Sequence, residues 1–435
     1  MSDLNRREFM KTSSRVTAAA ALGISALGAR RVLGANERIR VAVAGVRGRG
    51  GSHISEVGQL PDCEVVAICD PDEAEIAKRV ENFKGAGRTD VSTYVDVREA
   101  LEDKNIDVLT IATPNHWHSL MGIWACQAGK DVYVEKPCSH NIFEGRKLVE
   151  AARKYGRIVQ QGTQARSAPA MREAIGQLRE GIIGEVYMAR GLCYKWRATI
   201  GRTLEEAPPK GVNYDLWLGP APKRPYSRNR FHYNWHWHWD YGNGDIGNQG
   251  VHQMDIARWA LGVGLPTRAQ SMGGHFLFDD DQETPNTQVS TFQYPEEKKM
   301  IVFEVRHWMT NDEAGYKVGV TIYGSDGYMV IPSYGEYRTY LGRNGEPGPT
   351  GNVRKPLAHF ANFFEAVRKR DRGILAAEIE EGHRSSALCH LANMSYRLGR
   401  TVDFDPKTET CNGDKEANRL LAREYRAPYT MPQGV

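Results

Sequence analysis

The chain lacks the devices that mark stapled, nucleic-acid-binding or repetitive proteins. Its seven cysteines, Cys63, Cys69, Cys126, Cys138, Cys193, Cys389 and Cys411, include no Cys-x-x-Cys pair, so neither a disulfide nor a zinc framework is implied. The formal net charge is only +4. Part of it sits in Arg6, Arg7, Lys11, Arg15, Arg30 and Arg31, which leaves no basic block in the body and excludes nucleic acid as the expected partner. There is no internal repeat. The apolar stretch from Val16 to Ala29 is too short and too rich in Ala and Gly to span a bilayer stably.

That stretch follows Asn5-Arg6-Arg7-Glu8-Phe9-Met10-Lys11. Together they read as a twin-arginine export signal over residues 1–36, with the Tat export machinery as partner and a periplasmic or extracytoplasmic destination. Ala26-Leu27-Gly28 suits cleavage after Gly28, with retention as an anchor the alternative. Scattered, unpaired cysteines fit a protein that folds, and loads any cofactor, before export.

What remains is long enough for two domains: 435 residues, 41% of them hydrophobic. From Ile39 to about Gly162, short apolar runs (Val41 to Ala44, Glu64 to Cys69, Val108 to Ala112, Val132 to Val134, Ile158 to Gln161) alternate with helical spacing at Glu73 to Phe83, Ser119 to Ala128 and Phe143 to Tyr155. This predicts an α/β Rossmann domain, a parallel doubly wound sheet over residues 37–162. Beyond it come one helix near Ala170 to Glu180 and β-rich runs at Glu185 to Tyr194, Gln288 to Tyr294, Met300 to Val305 and Val318 to Tyr323. These predict a C-terminal α/β domain over residues 163–400 with a large, mostly antiparallel open sheet. The uncovered face of such a sheet suits a homo-oligomer, dimer or tetramer. His359 to Leu398 reads as helical. Residues 401–435 form a tail whose last stretch, from Tyr425, is expected to drape over a neighbouring subunit.

The turn Gly45-Val46-Arg47-Gly48-Arg49-Gly50-Gly51 follows the first strand and precedes a helix expected from about His53. Backbone amides at such a helix start meet a pyrophosphate. Asp70 ends the second strand, where a carboxylate accepts ribose hydroxyls and repels a 2′-phosphate; the alternative is a plain helix cap. NAD is therefore favoured, with NADP possible because Arg47 and Arg49 are near. Thr113, Pro114, Asn115 and His118 follow the Val108 to Ala112 strand, at the end that meets the nicotinamide half. Glu135-Lys136-Pro137 closes the strand from Val132, placing Lys136 where a buried strand opens into a cleft. With Gln164, these residues complete the candidate cofactor site.

Between Phe231 and Tyr241 every odd residue is aromatic and every even one polar, which predicts an extended segment with two chemically different faces. Trp235, His236 and Trp237 are candidate sugar contacts, the aromatic faces serving the apolar side of a ring. Core packing of the aromatic side is the alternative. No metal is assigned: the one histidine pair four apart, His232 and His236, does not lie on an expected helix. Then Asp245, Asn248 and His252 lead into a helix on which His252 and Asp255, three apart, share a face. An imidazole oriented there by a carboxylate is a proton acceptor for an alcohol.

In this order, the Gly-rich turn, Asp70, Thr113-Pro114-Asn115-x-x-His118, Glu135-Lys136-Pro137 and His252-x-x-Asp255 resemble the Gfo/Idh/MocA family of oxidoreductases. The resemblance implies bound NAD or NADP, oxidation or reduction of sugars and cyclitols, a catalytic lysine at Lys136 and a catalytic histidine at His252. The family often has aspartate four residues before the histidine, and here that position is Asn248, which cannot exchange a proton. Either His252 acts alone as base beside Lys136, or Asp245 or Asp240 substitutes. Two further readings stand beside the oxidoreductase: a glycosidase working through transient oxidation, and a carbohydrate-binding module on an inactive scaffold.

Overall fold

The computed structural model describes residues 38–435, so the expected export signal lies outside the described residues. Among those described, no helix is long and apolar enough to cross a membrane. The N-terminal half is a six-stranded parallel sheet in the order β3-β2-β1-β4-β5-β6. Its strands are β1 (Ile39–Ala44), β2 (Cys63–Cys69), β3 (Ser92–Tyr94), β4 (Val108–Ile111), β5 (Asp131–Val134) and β6 (Val159–Gln161). The central strands are near-continuous apolar runs because helices cover both faces. Those helices are α1 (Gly48–Gly58), α2 (Glu73–Gly85), α3 (Val97–Glu102), α4 (Asn115–Gln127) and α5 (Ile142–Lys154). Sequence reading did not anticipate β3, whose three residues lie at the sheet edge with two of them exposed and carry no apolar signal.

The second half begins with α6 (Pro169–Arg179) and builds a nine-stranded sheet in the order β14-β13-β12-β11-β7-β10-β9-β8-β15. Only the pair β7 (Val186–Tyr194) and β10 (Lys299–Arg306) is parallel. The antiparallel remainder comprises β8 (Arg268–Gly274), β9 (Thr287–Tyr294), β11 (Val318–Gly324), β12 (Gly327–Ser333), β13 (Glu336–Leu341), β14 (Glu346–Asn352) and β15 (Val402–Asp403). A short helix α7 (Tyr214–Leu218) and then α8 (Val251–Leu261), α9 (Ala358–Lys369), α10 (Ile379–Leu398) and α11 (Lys415–Leu420) complete the chain. One face of the sheet packs on α6, α8 and α10, with Phe292, Ile301, Phe303, Val320 and Ile322 fully buried beneath them. Helix α10 also packs against α5. Buried on nearly every side, it ties the two halves together.

One expectation fails here. The segment from Phe231 to Tyr241 is not extended: residues His232–Trp237 form a 3₁₀ helix, with His232 at φ 47°. Three residues per turn break the period-two pattern. Phe231 and Tyr241 join Trp217 and Tyr226 in a satellite core, Trp237 is buried against His307, and Tyr233 is left exposed. The last stretch of the tail packs on the Rossmann core of its own chain. Tyr429 meets Trp117 edge-on at 5.4 Å, and Met431 and Val435 pack on the Rossmann core. Arg426 anchors that stretch through Asp215 at 2.6 Å and the Gly219 carbonyl at 3.0 Å.

Candidate functional site

A cleft of about 640 Å³ opens at the carboxyl ends of β1, β2, β4 and β5, closed on its other side by residues of α7, the 3₁₀ segment and the approach to α8. This is where a doubly wound sheet binds its ligand, and the volume lies within the usual range for small-molecule sites. Gly45, Arg47, Gly48, Arg49, Asp70, Thr113, Pro114, Asn115, His118, Glu135, Lys136, Gln164, Trp235, His236, Asn248 and His252 all line it. Gly50, Trp237, Asp245 and Asp255 do not.

At the nucleotide end, β1 is followed by Gly45 at φ +76°, and α1 starts at Gly48, five residues earlier than sequence reading expects. The two glycines that matter most are Gly45 and Gly50. A Cβ on Gly45 would stand 2.7 Å from the Ala112 oxygen, and one on Gly50 only 1.6 Å from the Gly45 oxygen. Gly50 is thus a packing residue that lets helix and strand approach. Gly48 has nothing within 4 Å of a built Cβ, and α1 has neither a side-chain cap nor an acidic residue in its first turn. Its amides form a bare, electropositive cradle for a pyrophosphate.

Asp70 accepts hydrogen bonds from Val46 N at 2.9 Å and Asp72 N at 3.1 Å. Burial raises its carboxyl to about 6. The cap of α2 is Asp72, not Asp70. Arg47, half exposed, turns toward Glu75 at 3.5 Å. These residues fit an NAD moiety: amides for the phosphates and a carboxylate for the ribose.

At the chemical end, Lys136 Nζ donates to the Asn248 carbonyl at 2.6 Å and lies 3.5 Å from Asn248 Oδ1. Burial lowers the lysine below its ordinary value; Arg49 adds to this and Glu135 opposes it. Burial alone would raise Glu135, but Arg49, donating at 2.7 Å, and His53 at 3.2 Å hold it well below the carboxylate range. Gln164 approaches the same carboxylate at 3.4 Å. Burial, with Lys136 next, lowers His252 to about 3. Its ring packs on Tyr334 at 4.9 Å, and its Nδ1 has no protein partner.

Asn248 sits in a π-helical turn, Ile246–Gly250, that runs into α8. Such wide turns recur at functional sites. Its amide nitrogen donates to Asp245 at 3.1 Å, so the residue fixes Lys136 rather than carrying a proton. Asp245 is no replacement base. It is buried behind the wall between Arg197 (3.1 Å) and His307 (3.2 Å), which hold its carboxyl well below the usual range despite burial. Asp240 pairs with Arg224 beside a separate cavity.

Three expected roles change. Asp255 does not orient His252: it takes a two-pronged grip from Arg166, Nε at 2.8 Å and Nη2 at 2.8 Å, and a hydrogen bond from Ser385 at 2.6 Å. Arg166 arrives from the 3₁₀ turn Gln164–Ser167, which sequence spacing cannot reveal. His118 has no nitrogen to spare for a ribose, because Nδ1 meets the Pro137 carbonyl at 2.6 Å and Nε2 the Thr113 carbonyl at 2.8 Å. Trp237 lies in the core. Asn115 lines the cleft but commits its amide nitrogen to Asn243 at 3.0 Å.

Sequence reading missed Glu56, which lines the cleft and pairs with Arg49 at 2.7 Å. It also missed Lys195 and Tyr334, which meet through Gln249 beside His252. Tyr334, in a hairpin turn, carries no local signal. Lys195 was findable, as the first residue past the carboxyl end of β7.

A family model for the oxidoreductase family, NAD-binding Rossmann fold, matches residues 39–163, and its companion for the C-terminal alpha/beta domain matches residues 178–269 and 350–431. A Glycosyl hydrolase family 109 protein 1 from Shewanella sp. (strain MR-4) is 29% identical over 206 residues, 43% of this chain and 45% of that protein. The chain thus spans about half the length of that relative. Among solved structures, the WlbA dehydrogenase from Bordetella pertussis, in complex with NADH and UDP-GlcNAcA, aligns with a TM-score of 0.64 at 20% identity, covering 85% of this chain and 99% of that one. Aldose-aldose oxidoreductase from Caulobacter crescentus, complexed with glycerol, aligns at 0.63 and 18% identity, covering 85% and 100%. At such identities the likeness speaks to the fold alone.

Proposed function

This chain belongs to the Gfo/Idh/MocA family of oxidoreductases with an NAD-binding Rossmann domain, and from that premise we propose that it oxidises or reduces a secondary hydroxyl of a sugar or sugar derivative. The observation that carries this is the convergence of Lys136 and His252 on the cleft that also holds the bare α1 amides and Asp70. A bound nicotinamide supplies the hydride acceptor. Lys136 donates a hydrogen bond to the substrate oxygen, held on line by the Asn248 carbonyl. His252, neutral across the physiological range, receives the hydroxyl proton. Trp235 and His236 close the cleft over the substrate.

Export by the twin-arginine route is part of the same proposal, and it requires a cofactor held through turnover, since a dissociated one would be lost outside the cytoplasm. Protein purified without added nucleotide should release nearly one NAD or NADH per chain on denaturation, read by mass spectrometry. Absence of nucleotide, with none rebinding when offered, would leave the binding-module reading ahead.

The pH profile of kcat/KM follows from the two shifts. A base must be unprotonated, so activity is lost as pH falls through the His252 value; with that value lowered to about 3, no acid limb should appear near 6.5. A lysine donor must be protonated, so activity is lost as pH rises through its value, and the alkaline limb should come below the ordinary 10.5. An acid limb that persists unchanged in folded His252→Ala would remove His252 from this role. Asp70→Ser is expected to shift the ratio of NADP to NAD affinity upward by about 10–100-fold, the worth of charge-assisted hydrogen bonds to a ribose. An unchanged ratio in equilibrium titration would deny Asp70 that contact.

The glycosyl hydrolase relative favours a second reading, in which transient oxidation acidifies a neighbouring C–H and the glycosidic bond breaks by elimination. Solvent deuterium appearing at the ring carbon beside the glycosidic centre would select it.

A further inference from the structure

Between β7 and α8 the chain crosses back to the nucleotide-binding half. Residues 211–213 lie antiparallel beside residues 71–73, immediately past Asp70. Asp72 forms a bridge with Val212, Glu73 N donates to the Gly211 carbonyl at 3.0 Å, and Asn213 N donates to the Pro71 carbonyl at 2.8 Å. Farther along, the crossing returns to the same residue: His232 Nε2 stands 3.3 Å from Asp72 Oδ2. Asp72 Oδ1 accepts from Ala74 N at the cap of α2, so this buried carboxylate is divided between its own helix and the crossing. His232 reaches it at φ 47°, a left-handed backbone that a residue with a Cβ keeps only where its surroundings hold it there.

The loop closed in this way borders the cleft. Leu216, Trp217, Phe231 and His232 line it from the crossing, while Pro71 and Val95 line it from the sheet beside Asp70. In the order β3-β2-β1, the base beyond a ribose on Asp70 lies toward β3, the strand that Val95 follows. A flat base between these two walls is covered on both faces. The middle of the crossing is braced separately: Trp117 Nε1 donates to the Leu216 and Trp217 carbonyls, each at 3.1 Å, and Arg426 holds Asp215 at 2.6 Å. Losing the contacts at Asp72 would therefore free the margins of this wall without unfolding it.

We propose that residues 211–232 form the outer wall of an adenosine site and that Asp72, which does not itself line the cleft, holds this wall shut, so that NAD leaves only when the crossing lets go of Asp72. This rests on the retained cofactor proposed above and names the part of the chain that retains it. The slow step of release is then the opening of the wall, set by contacts within the protein rather than by the grip of the α1 amides and Asp70 on the nucleotide.

The test is the rate at which bound nucleotide is released. The full chain, loaded with radiolabelled NAD, is chased with a large excess of unlabelled NAD, and the label still bound is followed after rapid desalting. His232→Gly suits the left-handed backbone and removes the imidazole, while Asp72→Ser keeps a helix cap but cannot reach His232. Each should shorten the retention half-life by about 10-fold or more, and the double variant should release little faster than the faster single one, because both act on one contact. Thermal melts would verify that the variants fold. On the wild-type chain, amide hydrogen exchange in peptides covering residues 211–213 should slow on NAD loading. Retention as long in both folded variants as in wild type, effects that add in full in the double variant, or exchange unaltered by NAD would overturn the wall. A wild-type chain that takes up no NAD, or loses it within the time of desalting, would instead overturn the retained cofactor beneath it.

Discussion

Replacing Lys136 by alanine is expected to lower kcat on the order of 10²–10⁴-fold, the range associated with one positioned acid or base, while NAD remains bound. The nucleotide end rests on the α1 amides and Asp70. Lys136 stands at the other end, where its ammonium meets the Asn248 carbonyl. Removing it leaves that carbonyl without its donor and the substrate oxygen without a hydrogen bond. Single-turnover kinetics on the NAD-loaded variant, with the bound nucleotide quantified in the same sample, separate the two ends. Loss of turnover together with loss of nucleotide would make Lys136 a structural lysine. The double variant Lys136→Ala/His252→Ala should fall little further than either single one, because both groups serve one proton-transfer event.

The second large effect is on stability. Asp255→Ala is expected to destabilise the fold by about 3–5 kcal/mol, because it strips the Arg166 guanidinium of its nearest carboxylate in a site where Asp255 is 1% exposed. Glu381 lies 3.4 Å from Arg166 and would recover only a part. A lowered urea midpoint checks this. A dyad orienting His252 would instead reveal itself as a large loss of kcat with a shifted pH profile in folded protein, and that outcome would return Asp255 to the active site. Asp255→Asn, which keeps the shape and half of the hydrogen bonds, should lie between wild type and alanine in stability.

The misreading of Asp255 shows where local pattern stops carrying information. A spacing of three on a helix puts two side chains on one flank, but what each meets depends on elements far away in sequence: Arg166 is 89 residues from Asp255, and Ser385 is 130. Asn248 has the same lesson with the opposite outcome. As a departure from the family pattern it was visible in the sequence, but only the π-helical turn shows its carbonyl turned to Lys136 and its amide to Asp245. The aromatic row from Phe231 to Tyr241 misled because alternation was read as a strand, whereas the 3₁₀ turn divides those rings between a satellite core and the cleft wall.

The sequence by itself determined the parallel sheet, the placing of the glycine turn after β1, the acidic end of β2 and the lysine at the end of β5. Each is a short-range consequence of burial on both faces and of a chain that must turn sharply at a strand end. Only the tertiary structure decided which charges face the cleft and which are used up behind it. Arg49 against Glu135, Arg166 against Asp255 and Arg197 against Asp245 are pairs between distant segments. Burial makes an unpaired charge too costly to leave alone, so the partner is fixed by where the folded chain places the nearest opposite charge, and no local spacing encodes that.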